Sequence, residues 1–178
     1  MKRFLRMCTV LALALAAGVP SGAASASTPY CGITWGSLPR AASGADGVSV
    51  TNVRAGKHAC YDRLVIDGAS WARVAYVGQV VHDGSGAPVP LRGGAFLQII
   101  TTRSDDTHRV TYDPATPNEI VDVTGYRTFR QAAFAGSFEG QTTLGLGVRA
   151  RLPFRVFVLE ATGVPPRVVI DVAHLWSS

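Results

Sequence analysis

The sequence lacks the spacings by which most enzymes and metal sites announce themselves. It has no G-x-S-x-G elbow, which removes the α/β-hydrolase nucleophile. It has no Cys-x-x-Cys and no His-x-x-x-His; His58, His82, His108 and His174 stand singly, without the close ligand spacing of a metal site. Neither a metal nor another cofactor is therefore expected, and the chain is read as non-enzymatic. Gly145-x-Gly147-x-x-Ala150 fits the dinucleotide fingerprint formally. Arg151-Leu152-Pro153 follows where that fingerprint needs a helix, so the glycines read instead as a bulged or tightly packed strand. No amphipathic helix longer than two turns is visible past the first 26 residues.

Apolar runs are equally scarce. The longest spans 7–19, behind Lys2, Arg3 and Arg6, and is broken by Pro20, Ser21 and Gly22. It is shorter than the roughly 18 residues of a membrane span. Ala24-Ser25-Ala26 supplies a small-x-small cleavage pattern, so residues 1–26 are expected to be a secretory signal peptide. Cys8 stands at the start of the apolar run rather than after it, the wrong side for a lipid-modified cysteine. No second span follows, so no transmembrane segment is expected after cleavage.

Export changes two counts. The chain carries 17 basic and 12 acidic residues; loss of Lys2, Arg3 and Arg6 leaves 14 against 12, a balance of +2. With no Lys/Arg cluster, nucleic acid is not an expected partner. Of three cysteines, Cys31 and Cys60 remain. In an exported chain an even pair reads as a disulfide, closing a loop of about 30 residues and contributing about 3–4 kcal/mol in the chain-entropy treatment. Two buried free thiols are the alternative.

What is present is β-structure. Residues 27–47 are rich in Gly, Ala, Ser and Pro and read as an irregular lead-in. Strand patterns follow at 48–51, 61–67, 72–81, 95–102, 120–123, 129–138, 142–148, 154–159 and 167–173. Ala55-Gly56 and Asp83-Gly84-Ser85-Gly86 read as turns, and 104–118 as a long loop. Close-spaced strands broken by Gly and Pro indicate a two-sheet sandwich or a barrel. Arg63-Leu-Val-Ile-Asp67 is echoed by Arg167-Val-Val-Ile-Asp171. Either two central strands share a composition, or they pair or sit equivalently in two sheets.

Two segments are dense in polar function. One holds Arg54, His58, Asp62 and Arg63; the other holds Glu139 and Gln141, then Arg149, Arg151 and Arg155. Arginine forks bind carboxylate or phosphate, while Glu, Gln and Asp hold sugar hydroxyls or amides, so the two segments together could form a polar groove. The alternative is ion pairing on a solvated sheet face, with Arg63 and Arg155 matched to Asp62, Asp67 or Glu139. His58 could act as a base beside Asp62, or as a hydrogen-bonded turn residue. Trp35, Trp71, Trp176, Tyr61, Tyr76 and Tyr126 could stack on sugars or pack the core. His174 and Trp176 read as capping the core after the last strand.

Three stretches also carry a family resemblance: Arg54-x-Gly56-x-His58-x-Cys60-Tyr61-Asp62-Arg63; Gly136 through Arg155; and Arg167-Val-Val-Ile-Asp171-Val-Ala-His174. Together they resemble the AMIN-like domain of actinobacterial secreted proteins and lipoproteins, from about Cys31 to Trp176. The resemblance implies an all-β, two-sheet sandwich of AMIN type over 48–178. It also implies a cell-envelope module. AMIN domains proper are attached to cell-wall amidases and to secretion or pilus proteins, and are associated with binding peptidoglycan or other envelope partners. No catalytic residues come with it, and neither a lipobox nor an amidase domain accompanies it here. The expected partner is peptidoglycan or another cell-wall glycan, with an envelope protein as the alternative. A third possibility is a hydrolase using His58, Asp62 and Glu139.

Overall fold

Period-two burial organises the chain. In the strand Tyr61–Asp67, residues 62, 64 and 66 are buried while 61, 63 and 67 are partly exposed, and Val65 on the latter face is buried as well. Such alternation places successive side chains on opposite faces of a sheet. The computed structural model describes residues 29–45, 49–102 and 112–176. The expected signal peptide, Val48, His108 and most of the 104–118 loop lie outside the described residues.

The strands are β1 (Arg40–Ser43), β2 (Asn52–Lys57), β3 (Tyr61–Asp67), β4 (Trp71–Val77), β5 (Ala95–Thr102), β6 (Phe129–Phe138), β7 (Gln141–Val148), β8 (Phe154–Ala161) and β9 (Val164–Ala173). They form two antiparallel sheets, ordered β1-β4-β5-β7-β6 and β2-β3-β9-β8. This is the all-β two-sheet sandwich that the sequence implies. One core lies between the sheets: Leu64, Ile66, Ile170 and Phe154 from one, Leu97, Ile99, Leu144 and Leu146 from the other. Each is fully buried, which stabilises the fold by about 1.5–3 kcal/mol per side chain against exposure. A disulfide joins Cys31 to Cys60, with Cα atoms 6.4 Å apart and a sequence separation of 29. Among the described residues no helix is long and apolar enough to cross a membrane.

The outer face of the five-stranded sheet is covered by its own chain. Val80, Val89 and Leu91 from the β4–β5 connection pack on Phe96, Ala133 and Ala135. Gly145 and Gly147 are where that connection comes closest. A Cβ on Gly145 would sit 2.8 Å from Leu91 Cδ1, and one on Gly147 would collide with the Arg92 carbonyl oxygen. The Gly-x-Gly pattern thus serves close packing.

Several boundaries differ from the sequence reading. The strand at 48–51 is displaced: 49–51 are not in a strand, and β2 runs through Ala55-Gly56, the supposed turn. The turn lies at 58–60, where His58 N–H donates to the Tyr61 carbonyl at 3.0 Å. The lead-in is not wholly irregular, because β1 pairs Arg40–Ser43 with Trp71–Val74. Its Arg-Ala-Ala-Ser composition carries no strand propensity; partner hydrogen bonds make it a strand. Residues 120–123 form a loop whose Ile120, Val121 and Val123 nonetheless pack on the core. β4 ends at Val77, and residues 80–81 belong to the covering connection.

Candidate functional site

The echoed pentads pair with each other. β3 and β9 run antiparallel with Arg63 opposite Asp171 and Asp67 opposite Arg167. Antiparallel pairing of two Arg-x-x-x-Asp copies in this register sets each arginine against the other copy's aspartate. All four lie on the outer face of the four-stranded sheet, since Leu64, Ile66, Val168 and Ile170 fill the core. The edge strands extend the rows: Arg155 of β8 lies opposite Asp171, and Arg54 of β2, opposite Val65, lies two residues along the ladder from Asp67.

Arg63 grips Asp171 with both arms of its fork, Nε to Oδ1 at 2.7 Å and Nη2 to Oδ2 at 2.9 Å. Arg155 donates to the same Oδ2 from Nε at 2.7 Å. The two guanidinium groups bury Asp171 completely while remaining 21% and 30% exposed themselves. Arg54 binds Asp67 through Nε at 2.8 Å and Nη2 at 3.0 Å. These hydrogen bonds raise the pKa of Arg63 and Arg54, each outweighing the opposing cost of burial. Arg63 and Arg155 are therefore ion-paired, as one reading of the sequence holds, but to Asp171 rather than to Asp62, Asp67 or Glu139.

Aromatic rings surround this row. The Arg155 guanidinium lies 5.0 Å from the Phe157 centroid, 5.4 Å from Tyr61 and 5.6 Å from Trp35. Arg63 lies 5.2 Å from Tyr61 and 5.5 Å from Phe157. Such contacts are worth about 0.5–1 kcal/mol at exposed sites. Trp35 arrives from the lead-in, held by the neighbouring disulfide and by Phe154 N–H donating to the Gly36 carbonyl at 2.7 Å. His58 stacks on Tyr61 with centroids 4.5 Å apart, at the exposed rim of the same face.

Asp62 belongs to the other side of β3. Its Oδ2 accepts from the backbone N–H of Thr128 at 2.5 Å and of Phe129 at 3.1 Å, and its Oδ1 lies 3.1 Å from His174 Nε2. Asp62 is 1% exposed and His174 3%. The carboxylate's partner is thus His174 rather than His58, and the pair is sealed from solvent. It anchors the start of β6 to the other sheet. The sequence carried no signal for this pairing, because 112 residues separate the two.

The second polar segment does not converge with the first as a whole. Glu139 and Gly140, with φ 46° and 79°, form the two-residue turn between β6 and β7, and Gln141 opens β7 opposite Phe138. The ten-residue strand β6 carries that turn at one end and at the other Phe129, whose N–H holds Asp62. At about 3.3 Å per residue this is roughly 30 Å. Glu139 therefore joins neither Asp62 nor His58, and the three-residue hydrolase arrangement is not assembled. Arg149 donates to the His174 carbonyl. Arg151 donates to the Ser37 carbonyl at 3.1 Å and lies over the Tyr76 ring at 4.8 Å. Both fasten segments that flank the sandwich, at Ser37 and His174. Trp176 does likewise, its Nε1 donating to the Arg151 carbonyl at 2.9 Å.

The face thus unites Arg54, Arg63 and Arg155 with His58 at its rim. Trp35, Phe157, Arg167 and Asp171 complete it. Among the described residues no group of three or more His, Cys, Asp or Glu could hold a metal ion. A search among curated proteins returns no match. The AMIN-like domain family matches residues 48–174, nearly the whole described sandwich, and the chain belongs to that family.

Proposed function

We infer that this protein is a non-catalytic module of the cell envelope that holds peptidoglycan or another cell-wall glycan on the outer face of its four-stranded sheet. AMIN domains are envelope- and peptidoglycan-associated modules. The disulfide agrees with an extracytoplasmic location, where such bonds persist, and export by residues 1–26 would deliver the chain there. The observation that carries the reading is the row of Arg63 and Arg155 set among Trp35, Tyr61 and Phe157. Aromatic faces pack against the apolar faces of sugar rings, and pinned guanidinium forks hold their polar substituents. A non-catalytic role fits the sealed Asp62–His174 pair and the remote Glu139.

The test is co-sedimentation with purified cell-wall sacculi. The wild-type chain should pellet with them, and Phe157→Ala and Trp35→Ala should release it while leaving thermal unfolding cooperative. A wild-type chain that stays wholly in solution refutes the reading. A second reading rests on β2, the edge of the four-stranded sheet beyond which no described strand pairs. Such an edge can accept a strand from a partner protein. Crosslinking in cells through position 52 should then trap one specific partner, and recovery of none counts against it.

A further inference from the structure

We propose that the glycan held on this face is an acidic polysaccharide, gripped at two cationic centres with the Phe157 ring between them; this rests on the reading that the face holds a wall glycan. The charge count on the face is uneven. Four arginines, Arg54, Arg63, Arg155 and Arg167, meet two carboxylates, Asp67 and Asp171. The excess of two positive charges has definite places.

One lies where Arg63 and Arg155 share Asp171. Among the described residues neither arginine's Nη1 makes a hydrogen bond, so one donor arm of each remains for an oxyanion. The other lies at Arg167. Its cross-strand neighbour Asp67 is taken by Arg54. Arg167 Nε is left as a buried donor with no partner among the described residues. A buried donor without an acceptor carries a desolvation cost that a bound oxyanion would remove.

Four strand positions separate the Arg63–Asp171 row from the Asp67–Arg167 row. At about 3.3 Å per residue the two centres stand roughly 13 Å apart. Between them lies the row Arg54, Val65, Val169 and Phe157, in which both valines are buried and Phe157 is partly exposed. A single small anion reaches one centre only. A chain whose sugar rings alternate with carboxylate or phosphate groups can place an anion on each centre and a ring against Phe157. Bridging two weak sites makes the second contact intramolecular, so a polymer gains strongly over its monomer.

Two anion sources share this chemistry, uronate-type carboxylates and phosphodiesters, and the experiment separates them. Binding of the purified chain is measured against polygalacturonate, a phosphodiester-linked mannan, neutral dextran and monomeric galacturonate, at low and at raised salt. At least one polyanion should bind far more tightly than galacturonate, with affinity falling as salt screens the charges. Whichever polymer binds names the source. Arg167→Gln leaves no carboxylate unpaired, so it should fold normally; Arg155→Gln leaves Asp171 its bond to Arg63. Each should weaken polyanion binding about tenfold, the change expected for one hydrogen bond to a charged group.

Dextran bound as tightly as the polyanions, without salt dependence, overturns the acidic-ligand proposal and leaves glycan binding standing. Arg167→Gln binding like wild type overturns the two-centre arrangement. Sacculi bound while both polyanions are refused also overturns it. A chain that binds neither polymer nor sacculi refutes this proposal and the function it rests on together.

Discussion

Replacing Asp62 separates an anchoring carboxylate from a catalytic one. Asp62→Ala removes the acceptor of three buried donors: the N–H groups of Thr128 and Phe129, and His174 Nε2 in its protonated form. None gains water, because Asp62 is 1% exposed and His174 3%. Each orphaned group costs about 1–3 kcal/mol. Asp62→Ala should therefore lose at least about 3 kcal/mol, a large share of a typical stability of about 5–15 kcal/mol. Asp62→Asn behaves differently. Its amide oxygen can still accept from Thr128 and Phe129, and its amide nitrogen can donate to His174 Nε2. That tautomer puts the imidazole proton on Nδ1, a buried atom that has no partner among the described residues in the wild type either, so the number of unpaired groups is unchanged. The loss is then the charged character of the bonds, about 1–2 kcal/mol. Urea unfolding of the three proteins gives the measurement, and glycan binding should be unchanged for both folded variants. Equal losses for Ala and Asn, or a loss under about 1 kcal/mol for Ala, would refute the assignment of Asp62 as an anchor.

The remaining predictions concern turns, packing and pH. Glu139 sits at φ 46°, followed by Gly140 at φ 79°; Glu139→Asn should raise the urea midpoint by about 1 kcal/mol in stability, since Asn-Gly suits this turn. A lowered midpoint would show that the Glu139 side chain itself holds the hairpin. Gly147→Ala drives a Cβ into the Arg92 carbonyl oxygen and should lose about 2 kcal/mol by overpacking; unchanged stability would mean the β4–β5 connection is not seated on β7. Tyr76 donates its hydroxyl to the Leu152 carbonyl at 2.7 Å and accepts from the Leu152 N–H at 2.9 Å. Burial pushes its pKa from 10.0 up to about 12. Between those values the native state holds the proton longer than the unfolded chain, so stability present below pH 10 should fall as pH rises toward 12. Tyr76→Phe should reduce that slope, and an unchanged slope would assign it elsewhere. Replacing Cys31 and Cys60 together by serine should cost about 3–4 kcal/mol, read by thermal melting.

The strands with clean alternation were legible. β5 and β6 match their expected bounds, because Ala95–Thr102 and Phe129–Phe138 lie between strong turn residues. β1 was not legible, since Arg-Ala-Ala-Ser becomes a strand only by pairing with β4. The 120–123 segment misled in the opposite direction: its apolar residues pack on the core from a loop. At the site, the Arg63 and Arg167 pentads announced their own pairing. Short arginine and glutamate spacing did not reveal partners, because the partner of Arg63 is 108 residues away and that of Asp62 is 112 away. Sequence neighbours such as His58 and Asp62 fall on different sides, one in a turn and one facing the core. Proximity along the chain therefore grouped residues that the sheet separates.

The net charge of the candidate face follows from topology rather than from composition. The central strands β3 and β9 are self-neutralising on that side, each contributing one arginine and one aspartate in antiparallel register. Each edge strand then adds one arginine, Arg54 on β2 and Arg155 on β8, and no carboxylate. Both edge arginines reach inward and take an aspartate from the centre. Charges on edge strands also oppose edge-to-edge pairing between copies, so the same arginines can guard the sheet's edges. That protective role alone would be served equally well by lysines directed at solvent. What it leaves unexplained is the inward reach, which strips Arg167 of its acid and crowds Arg155 among three rings. Those two consequences set a buried donor and a pinned guanidinium on one face, about 13 Å apart. An elongated anion is the ligand whose shape and charge meet both.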